Sequence, residues 1–150
     1  MDKIRQGGFL ISKIHQLSGR LFAKKLKAWK VEEINPAQGR ILFFLWQHDG
    51  ISIQEVSRMT SLEKSTLTSM LDRLEASGHI RRVPSREDRR KILIEVTDKD
   101  TSLKASYERA IHEMSEIIYK DFTEREKDIF ESYLHRIYTN LSSHKSEEER

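Results

Sequence analysis

Cationic side chains are concentrated in one short segment, residues 81–91, which reads RRVPSREDRRK. The segment holds six positive and two negative charges, a local +4 against +3 for all 150 residues. The rest of the chain is therefore close to neutral, and a concentrated positive segment is typical of a site for a polyanion, most often nucleic acid. A solvated hairpin with a few arginines is the competing interpretation. The elements on either side must decide between them.

A second polar group lies on one face of the helix that precedes this segment. Leu67, Met70, Leu71 and Leu74 repeat at helical spacing, which predicts a helix over 63–77 with one buried stripe. Hydroxyls and cations on the other side are suited to base edges and phosphates. They are Lys64, Ser65, Thr66, Thr68, Ser69 and Arg73. Taken alone, such a face is more often simply solvated.

The neighbouring elements give both groups a common setting. Ser52 and Glu55, in S-I-Q-E, form a capping-box pattern that predicts a short helix before the polar one. Two consecutive helices with a brief turn indicate a helix-turn-helix, whose second helix enters a major groove. After Gly78 the apolar period becomes that of strands, so the cationic segment falls on a β-hairpin. The order is that of a winged helix, whose hairpin can reach a minor groove.

Long amphipathic helices flank this core. Residues 9–29 carry an apolar stripe, and Asn35-Pro36 with Gln38 begins a helix that ends near Gly50. Thr97 begins a further helix to about Lys120. Because a small core cannot cover such surfaces, the terminal helices are predicted to pair with a second copy, with intramolecular packing as the alternative.

The last helix begins at a second capping box, Thr123 with Glu126. Its apolar residues are too widely spread for a helix that faces solvent. They are Ile129, Phe130, Tyr133, Leu134, Ile137, Tyr138 and Leu141. The polar tail from Ser142 is expected to fray.

Length and composition predict one domain over residues 1–150, with a winged core at about 35–97 and dimerisation helices at about 9–30 and 98–142. The chain has no cysteine, which excludes a disulfide framework and thiolate metal sites within it. No apolar run approaches the roughly 20 residues of a membrane span. The N-terminus lacks a signal-peptide pattern, so we expect a cytoplasmic protein without membrane contact and without a cofactor.

Three stretches resemble the MarR family of transcription regulators. D-R-R-K-I-L-I-E-V-T, residues 88–97, is similar to the family's wing signature. K-S-T-L-T-S-M-L-D-R-L-E-A-S-G, residues 64–78, is similar to its recognition helix, and N-P-A-Q, residues 35–38, to the start of its second helix. Two residues depart from the pattern, since Val96 stands where leucine is usual and Asp100 where glycine is common.

The resemblance implies a mainly α fold with a small β-hairpin, in which the recognition helix reads the major groove and the wing the minor groove. Asp88 is expected to hold Arg90 in a bidentate pair that aims the arginine before DNA arrives. The expected DNA-binding residues are Lys64, Ser65, Thr66, Thr68, Ser69, Arg73, Arg86, Asp88, Arg89, Arg90 and Lys91.

The predicted function is that of a homodimeric DNA-binding repressor on a pseudo-palindromic operator. The resemblance also implies release by a small aromatic carboxylate, with His15, Arg20, Phe43 and Trp46 as candidate effector residues. The alternative for these four is that the aromatic rings are core and the polar side chains solvated.

A metal-sensing regulator of the same fold is the second hypothesis, because His112 and Glu116 stand four apart on one helix. A solitary pair of this kind is usually an ordinary surface pair, so no metal site is expected. No phosphate loop, nucleophile elbow or H-E-x-x-H motif is present, so we do not expect an enzyme.

Overall fold

The computed structural model describes residues 2–149 and contains six α-helices and three short strands in that range. In chain order the elements are α1 (Gly7–Ala28), α2 (Pro36–Gln47), β1 (Ile51–Ser52), α3 (Ile53–Thr60), α4 (Lys64–Ala76), β2 (Ile80–Pro84), β3 (Ile92–Val96), a 3-10 turn (Asp98–Asp100), α5 (Thr101–Ile118) and α6 (Glu124–Glu148). The predicted fold class, mainly α with a winged hairpin, is confirmed. The side chain of Asp100 lies outside the described part of the chain, and so does its effect on the junction after the wing.

The helix boundaries follow from capping groups. The Asn35 side chain accepts the Gln38 backbone N–H at 2.8 Å, and the Gln38 side chain accepts the Asn35 N–H at 3.0 Å, so α2 begins with the predicted reciprocal cap. Gly78 follows α4 with φ +81°, a left-handed conformation in which a side chain is strained. The chain therefore turns sharply after α4, and β2 begins two residues after Gly78.

The sheet has a third strand that the sequence did not predict. β1 pairs with β3 (Ile51 with Ile94), and β3 also pairs with β2, which gives the antiparallel order β1-β3-β2. Two residues are too few to show an alternating pattern, so the sequence indicated only the helix α3 that follows β1 directly. Ser52 accepts the Glu55 N–H at 3.2 Å, as predicted. The capping box is only half formed, because the Glu55 carboxylate pairs with Arg58 instead.

The chain forms two compact units, one ending at Met114 and the other beginning at Ser115. The first contains the hydrophobic core, to which helices α1 to α5 and the sheet contribute. Tyr107 of α5 is buried and lies against the backbone of Gly39 in α2, where a Cβ atom would overlap the tyrosine ring. Glycine is thus required for this close contact between α2 and α5.

The second unit contains the end of α5 and all of α6. Tyr119, Phe122 and Phe130 form an aromatic cluster with ring centroids 5.7–6.2 Å apart. The Tyr119 hydroxyl donates to Glu131 at 2.6 Å, and this bond, followed by burial, raises the pKa of Tyr119 to about 12. None of the described residues of α6 is buried.

Helix α6 is longer than the sequence indicated. The expectation that the tail frays from Ser142 is wrong, because α6 continues to Glu148. Pairs four residues apart accompany this extension, with His144 Nε2 3.3 Å from Glu148 and Lys145 Nζ 3.9 Å from Glu149. Such local pairs support a helix without any apolar periodicity. Separately, none of the described helices is long and apolar enough to cross a membrane.

Candidate nucleic-acid interface

Helix α4 has two different faces. Leu67, Leu71 and Leu74 are buried in the core, at the 3, 4 and 7 spacings that the sequence indicated. The other side of the helix is exposed. It carries Lys64, Ser65, Thr66, Thr68, Ser69 and Arg73, each in the exposed class. The leucines thus fix the direction in which the six polar candidates point, which is away from the protein.

The hydroxyls on this face differ in how they are engaged. The Thr68 hydroxyl donates to the Lys64 carbonyl at 2.8 Å, so its hydrogen is used within the helix and its lone pairs are left to accept. Such a hydroxyl can receive a bond from a base amino group but cannot donate to a base or a phosphate in this rotamer. Thr68 is therefore an acceptor in this conformation.

The tip of the wing is held by Ser85, a residue that the sequence analysis did not single out. Ser85 is 9% exposed, and its hydroxyl oxygen accepts the backbone N–H groups of Glu87 and Asp88, both at 3.3 Å. Its own N–H donates to the Lys91 carbonyl at 2.9 Å. A serine directly after Pro84 is a common start for such a turn, and this was the available signal.

Asp88 contacts Arg90, but the expected bidentate pair is wrong. One carboxylate oxygen, Oδ1, accepts the Arg90 backbone N–H at 3.1 Å and lies 3.4 Å from Nε. Because the two residues are only two apart in a tight turn, the carboxylate is occupied by the backbone and reaches the guanidinium with a single long bond. Asp88 consequently shapes the turn, while the Arg90 side chain stays 93% exposed.

The remaining cations of the tip are Arg86, Arg89 and Lys91, all exposed. Within residues 2–149, the structure gives none of the three an ion pair. Their exposure leaves them available to phosphates as loosely held charges.

The root of the wing is different, because both of its arginines pair with acidic side chains of the protein itself. Arg81 Nε lies 2.9 Å from Glu95, its cross-strand neighbour in the hairpin. Arg82 donates through Nη1 to Glu75 at 2.9 Å and through Nη2 to Asp72 at 2.8 Å, both on α4. Sequence reasoning missed this contact, since a charge count treats every arginine alike. The i, i+3 spacing of the two acids on α4 was the only signal.

The four effector candidates fall into two pairs. His15 and Arg20 are exposed on α1. Phe43 and Trp46 of α2 are partly buried, with ring centroids 6.0 and 5.8 Å from that of Tyr107. Burial raises the pKa of Tyr107 to about 12, against a smaller lowering effect of Arg40, so its hydroxyl is neutral at physiological pH. This packing agrees with the core interpretation of the two aromatic candidates.

An open cavity of about 250 Å³ lies at the end of α1 and the start of α2. Its lining residues fall between Ala23 and Pro36 and include Leu26, Lys27 and Glu32. None of the four effector candidates lines it. This cavity therefore does not bring the α1 candidates, His15 and Arg20, together with the α2 candidates, Phe43 and Trp46.

His112 and Glu116 are both exposed on α5. Across residues 2–149, no group of three or more histidine, aspartate or glutamate side chains is arranged to hold a metal ion. The pair has no third ligand in the described part of the chain.

A helix-turn-helix whose second helix exposes hydroxyls and cations, followed by a hairpin with a cationic tip, defines a winged helix-turn-helix protein. Residues 34–92 match the MarR family model, and this region contains both candidate surfaces. This match and the relatives below assign residues 34–92 to a MarR-like winged core, the resemblance that the sequence indicated.

Curated relatives agree with this assignment. The HTH-type transcriptional regulator TtmR of Methylorubrum extorquens is 40% identical over 80 residues, which are 53% of this chain and 41% of that protein. The HTH-type transcriptional regulator PecS of Dickeya dadantii is 35% identical over 91 residues, 61% of this chain and 55% of PecS. The chain thus matches only about half the length of these relatives. Both are named as transcriptional regulators.

Solved structures cover more of the chain. A mutant MarR from E. coli in complex with operator DNA has a TM-score of 0.74 at 25% identity, covering 87% of this chain and 91% of that one. A MarR transcriptional regulator from Methanosarcina mazei has a TM-score of 0.73 at 23% identity, covering 90% and 96%. The second likeness concerns the fold alone.

Proposed function

We propose that this protein is a transcriptional regulator that binds double-stranded DNA as a homodimer. One observation carries the proposal: the exposed polar face of α4 and the cationic wing tip belong to the same winged core, and Arg82 joins α4 to the wing. A helix with small hydroxyls can approach base edges closely, while exposed arginines follow the phosphates or enter a narrow minor groove. The operator complex of the E. coli relative supports the same class of ligand.

The DNA-binding residues that we propose have two roles. On α4, Ser65, Thr66, Thr68 and Ser69 contact the major groove, with Lys64 and Arg73 at the phosphates beside it. On the wing, Arg90 enters the minor groove from a turn that Asp88 shapes. Arg86, Arg89 and Lys91 neutralise phosphates. This division follows from their exposure and from the partners described above.

The homodimer is supported by exposed apolar side chains on the terminal helices. Phe9, Leu10, Ile14 and Leu17 of α1 are between 48% and 67% exposed. On α6, Tyr133, Tyr138 and Leu141 are between 49% and 68% exposed. Several exposed apolar side chains on one helix are typical of an interaction site. A second copy is the occupant that also gives two recognition helices, so we propose a single regulatory domain with a winged core at 35–97 and dimerisation helices at 9–30 and 98–142.

Two recognition helices related by a two-fold axis read half-sites about 34 to 36 Å apart. The operator is then a pseudo-palindrome, and bound protein would obstruct transcription from an overlapping promoter, which makes repression the proposed mode. Since DNA is the partner, the proposed location is the cytoplasm.

Selection of bound fragments from random and genomic DNA tests the proposal. Full-length protein should enrich a two-fold symmetric motif whose half-sites are one helical turn apart, and affinity should fall steeply with salt. Recovery of no symmetric motif, or binding that is insensitive to salt, would contradict it. A variant with Arg90 and Arg89 both changed to alanine is the matched control and should enrich no motif.

We also propose a small aromatic carboxylate as the effector, bound where α1 residues His15 and Arg20 face the surface that a second copy covers. A cation and an imidazole on an apolar helix suit a carboxylate attached to an aromatic ring. The effector would act by binding the DNA-incompetent dimer more tightly than the competent one. Thermal unfolding with a panel of aromatic carboxylates tests this, using Arg20→Ala as control; no stabilisation by any of them would contradict it.

A further inference from the structure

Arg82 has an environment unlike that of the other cations in the wing. Its guanidinium donates to Asp72 at 2.8 Å and to Glu75 at 2.9 Å, and its backbone N–H donates to the second Glu75 oxygen at 2.9 Å. The side chain is only 20% exposed. Glu75 therefore binds both the backbone and the side chain of Arg82. These bonds join the start of β2 to the end of α4.

Both acids lie on the helix that we propose to enter DNA. Asp72 follows Thr68 by four residues and Ser69 by three, which places it on the same exposed face, and its side chain is 64% exposed. A free carboxylate there would repel phosphates. Bonded to Arg82, Asp72 has a compensating charge within hydrogen-bond distance, and the repulsion is reduced.

We infer that Arg82 is a positioning residue: it locks the wing to the recognition helix and offsets one of the two negative charges that Asp72 and Glu75 place on that helix, so that α4 and the wing meet DNA as one unit. Its effect on DNA rests on the proposed function. The fork of the arginine is essential, because two separate carboxylates require two donor groups at a fixed angle. Lysine has a single compact charge and cannot hold both in this way.

A double-mutant cycle separates this role from a direct phosphate contact. Arg82→Gln is measured in the parent and in the Asp72→Asn/Glu75→Gln background, against the selected operator at several salt concentrations. If Arg82 acts through Asp72 and Glu75, Arg82→Gln should lower operator affinity by about tenfold or more in the parent. In the Asp72→Asn/Glu75→Gln background the loss should be less than about threefold, because no carboxylates remain for Arg82 to bind. Arg82→Lys should give an intermediate loss. Equal losses of operator affinity in both backgrounds would overturn this inference and indicate a direct phosphate contact instead.

A matched control is available one residue away. Arg81→Gln removes the same charge, but Arg81 pairs with Glu95 inside the hairpin and does not reach α4. It should change operator affinity less than about twofold, as expected for an exposed pair. An equal effect of Arg81→Gln and Arg82→Gln on operator affinity would mean that Arg82 contributes only its positive charge, and would overturn the inference.

A measurement without DNA tests the lock itself. The chain has no cysteine, so Arg73→Cys and Glu87→Cys provide unique positions for two nitroxide labels, one on α4 and one on the wing. Mixed dimers with excess unlabelled protein isolate the distance within one subunit. Double electron-electron resonance should give a narrow distribution for the parent and for Arg81→Gln, and a broader one for Arg82→Gln and Arg82→Lys.

Equal widths in all four proteins would overturn the lock, even where thermal unfolding shows each of them folded. Broader distributions for the Arg82 variants would support it, whether or not DNA is bound. If the parent enriches no DNA, the proposed function fails while the label distances still decide whether Arg82 fixes the wing.

Discussion

The root and the tip of the wing contain the same side chain in opposite situations. At the root, Arg82 is 20% exposed and bonded to two acids of α4; at the tip, Arg90 is 93% exposed and has one bond of 3.4 Å to Asp88. Within eleven residues, one arginine is part of the protein's internal structure and another is presented outward. Proximity in sequence does not give arginines a common role.

The difference lies in which carboxylates are within reach. Asp72 and Glu75, on the end of α4, face the start of β2, so the root has acids on a neighbouring element. The tip has only Glu87 and Asp88 within its own turn, and the Asp88 carboxylate accepts the backbone N–H of Arg90. The positive field of the wing is therefore concentrated at residues 86–91, a shorter segment than the one that the charge count indicated.

Arg90→Ala should have the largest effect on DNA binding. Each dimer loses two minor-groove contacts, and operator affinity should fall by roughly 1,000-fold, which leaves only the weaker preference that the α4 contacts give. Anisotropy titrations at matched salt measure this, with circular dichroism and light scattering to verify fold and dimer. Unchanged operator affinity would show that Arg90 at the tip does not contact the minor groove.

Ser69→Ala should reduce operator affinity by about 30-fold, because two hydroxyls are lost per dimer at about 1 kcal/mol each. Thr68→Val should cost less, since the Thr68 hydroxyl already donates to the Lys64 carbonyl. The same anisotropy titration compares the two variants. A larger loss for Thr68→Val would mean that its rotamer changes on DNA.

Arg89→Ala should weaken binding several-fold at moderate salt and make the slope of log affinity against log salt shallower by roughly 1.8, for two phosphate contacts per dimer. Lys91→Ala should behave similarly. Titrations across a salt series check this, and a slope equal to that of the parent would place the side chain away from phosphates.

Arg81→Ala should have the smallest effect, a change in operator affinity of less than about twofold, because this side chain is paired with Glu95 and its pair is exposed. A loss that matches the loss for Arg89→Ala would remove the distinction between root and tip.

Most of the fold followed from sequence patterns with a period long enough to recognise. The helices have apolar stripes and capping groups such as Asn35 with Gln38, and the hairpin has strictly alternating apolar residues in its second strand, after a proline-containing turn. β1 was not predicted because two residues show no period. Helix α6 extends further than expected because local side-chain pairs such as His144 with Glu148 leave no apolar pattern.

The candidate site was predicted in composition but not in organisation. Exposed polar residues on α4 and exposed cations at the tip agree with the sequence interpretation. The contacts of Arg82 with α4, the Ser85 anchor and the single bond between Asp88 and Arg90 depend on how a helix, a strand and a turn meet. Side-chain partners of that kind have no signal in residue spacing alone.

Base-specific chemical protection on the selected operator tests the central claim most directly, because dimethyl sulfate marks guanine N7 in the major groove and adenine N3 in the minor groove. The parent protein should protect N7 in two half-sites one helical turn apart and N3 in the minor groove beside each of them. At a concentration that saturates the DNA, Arg90→Ala should retain the N7 protections and lose those at N3. Protection of both grooves by Arg90→Ala, or protection at neither position by the parent, would contradict the account.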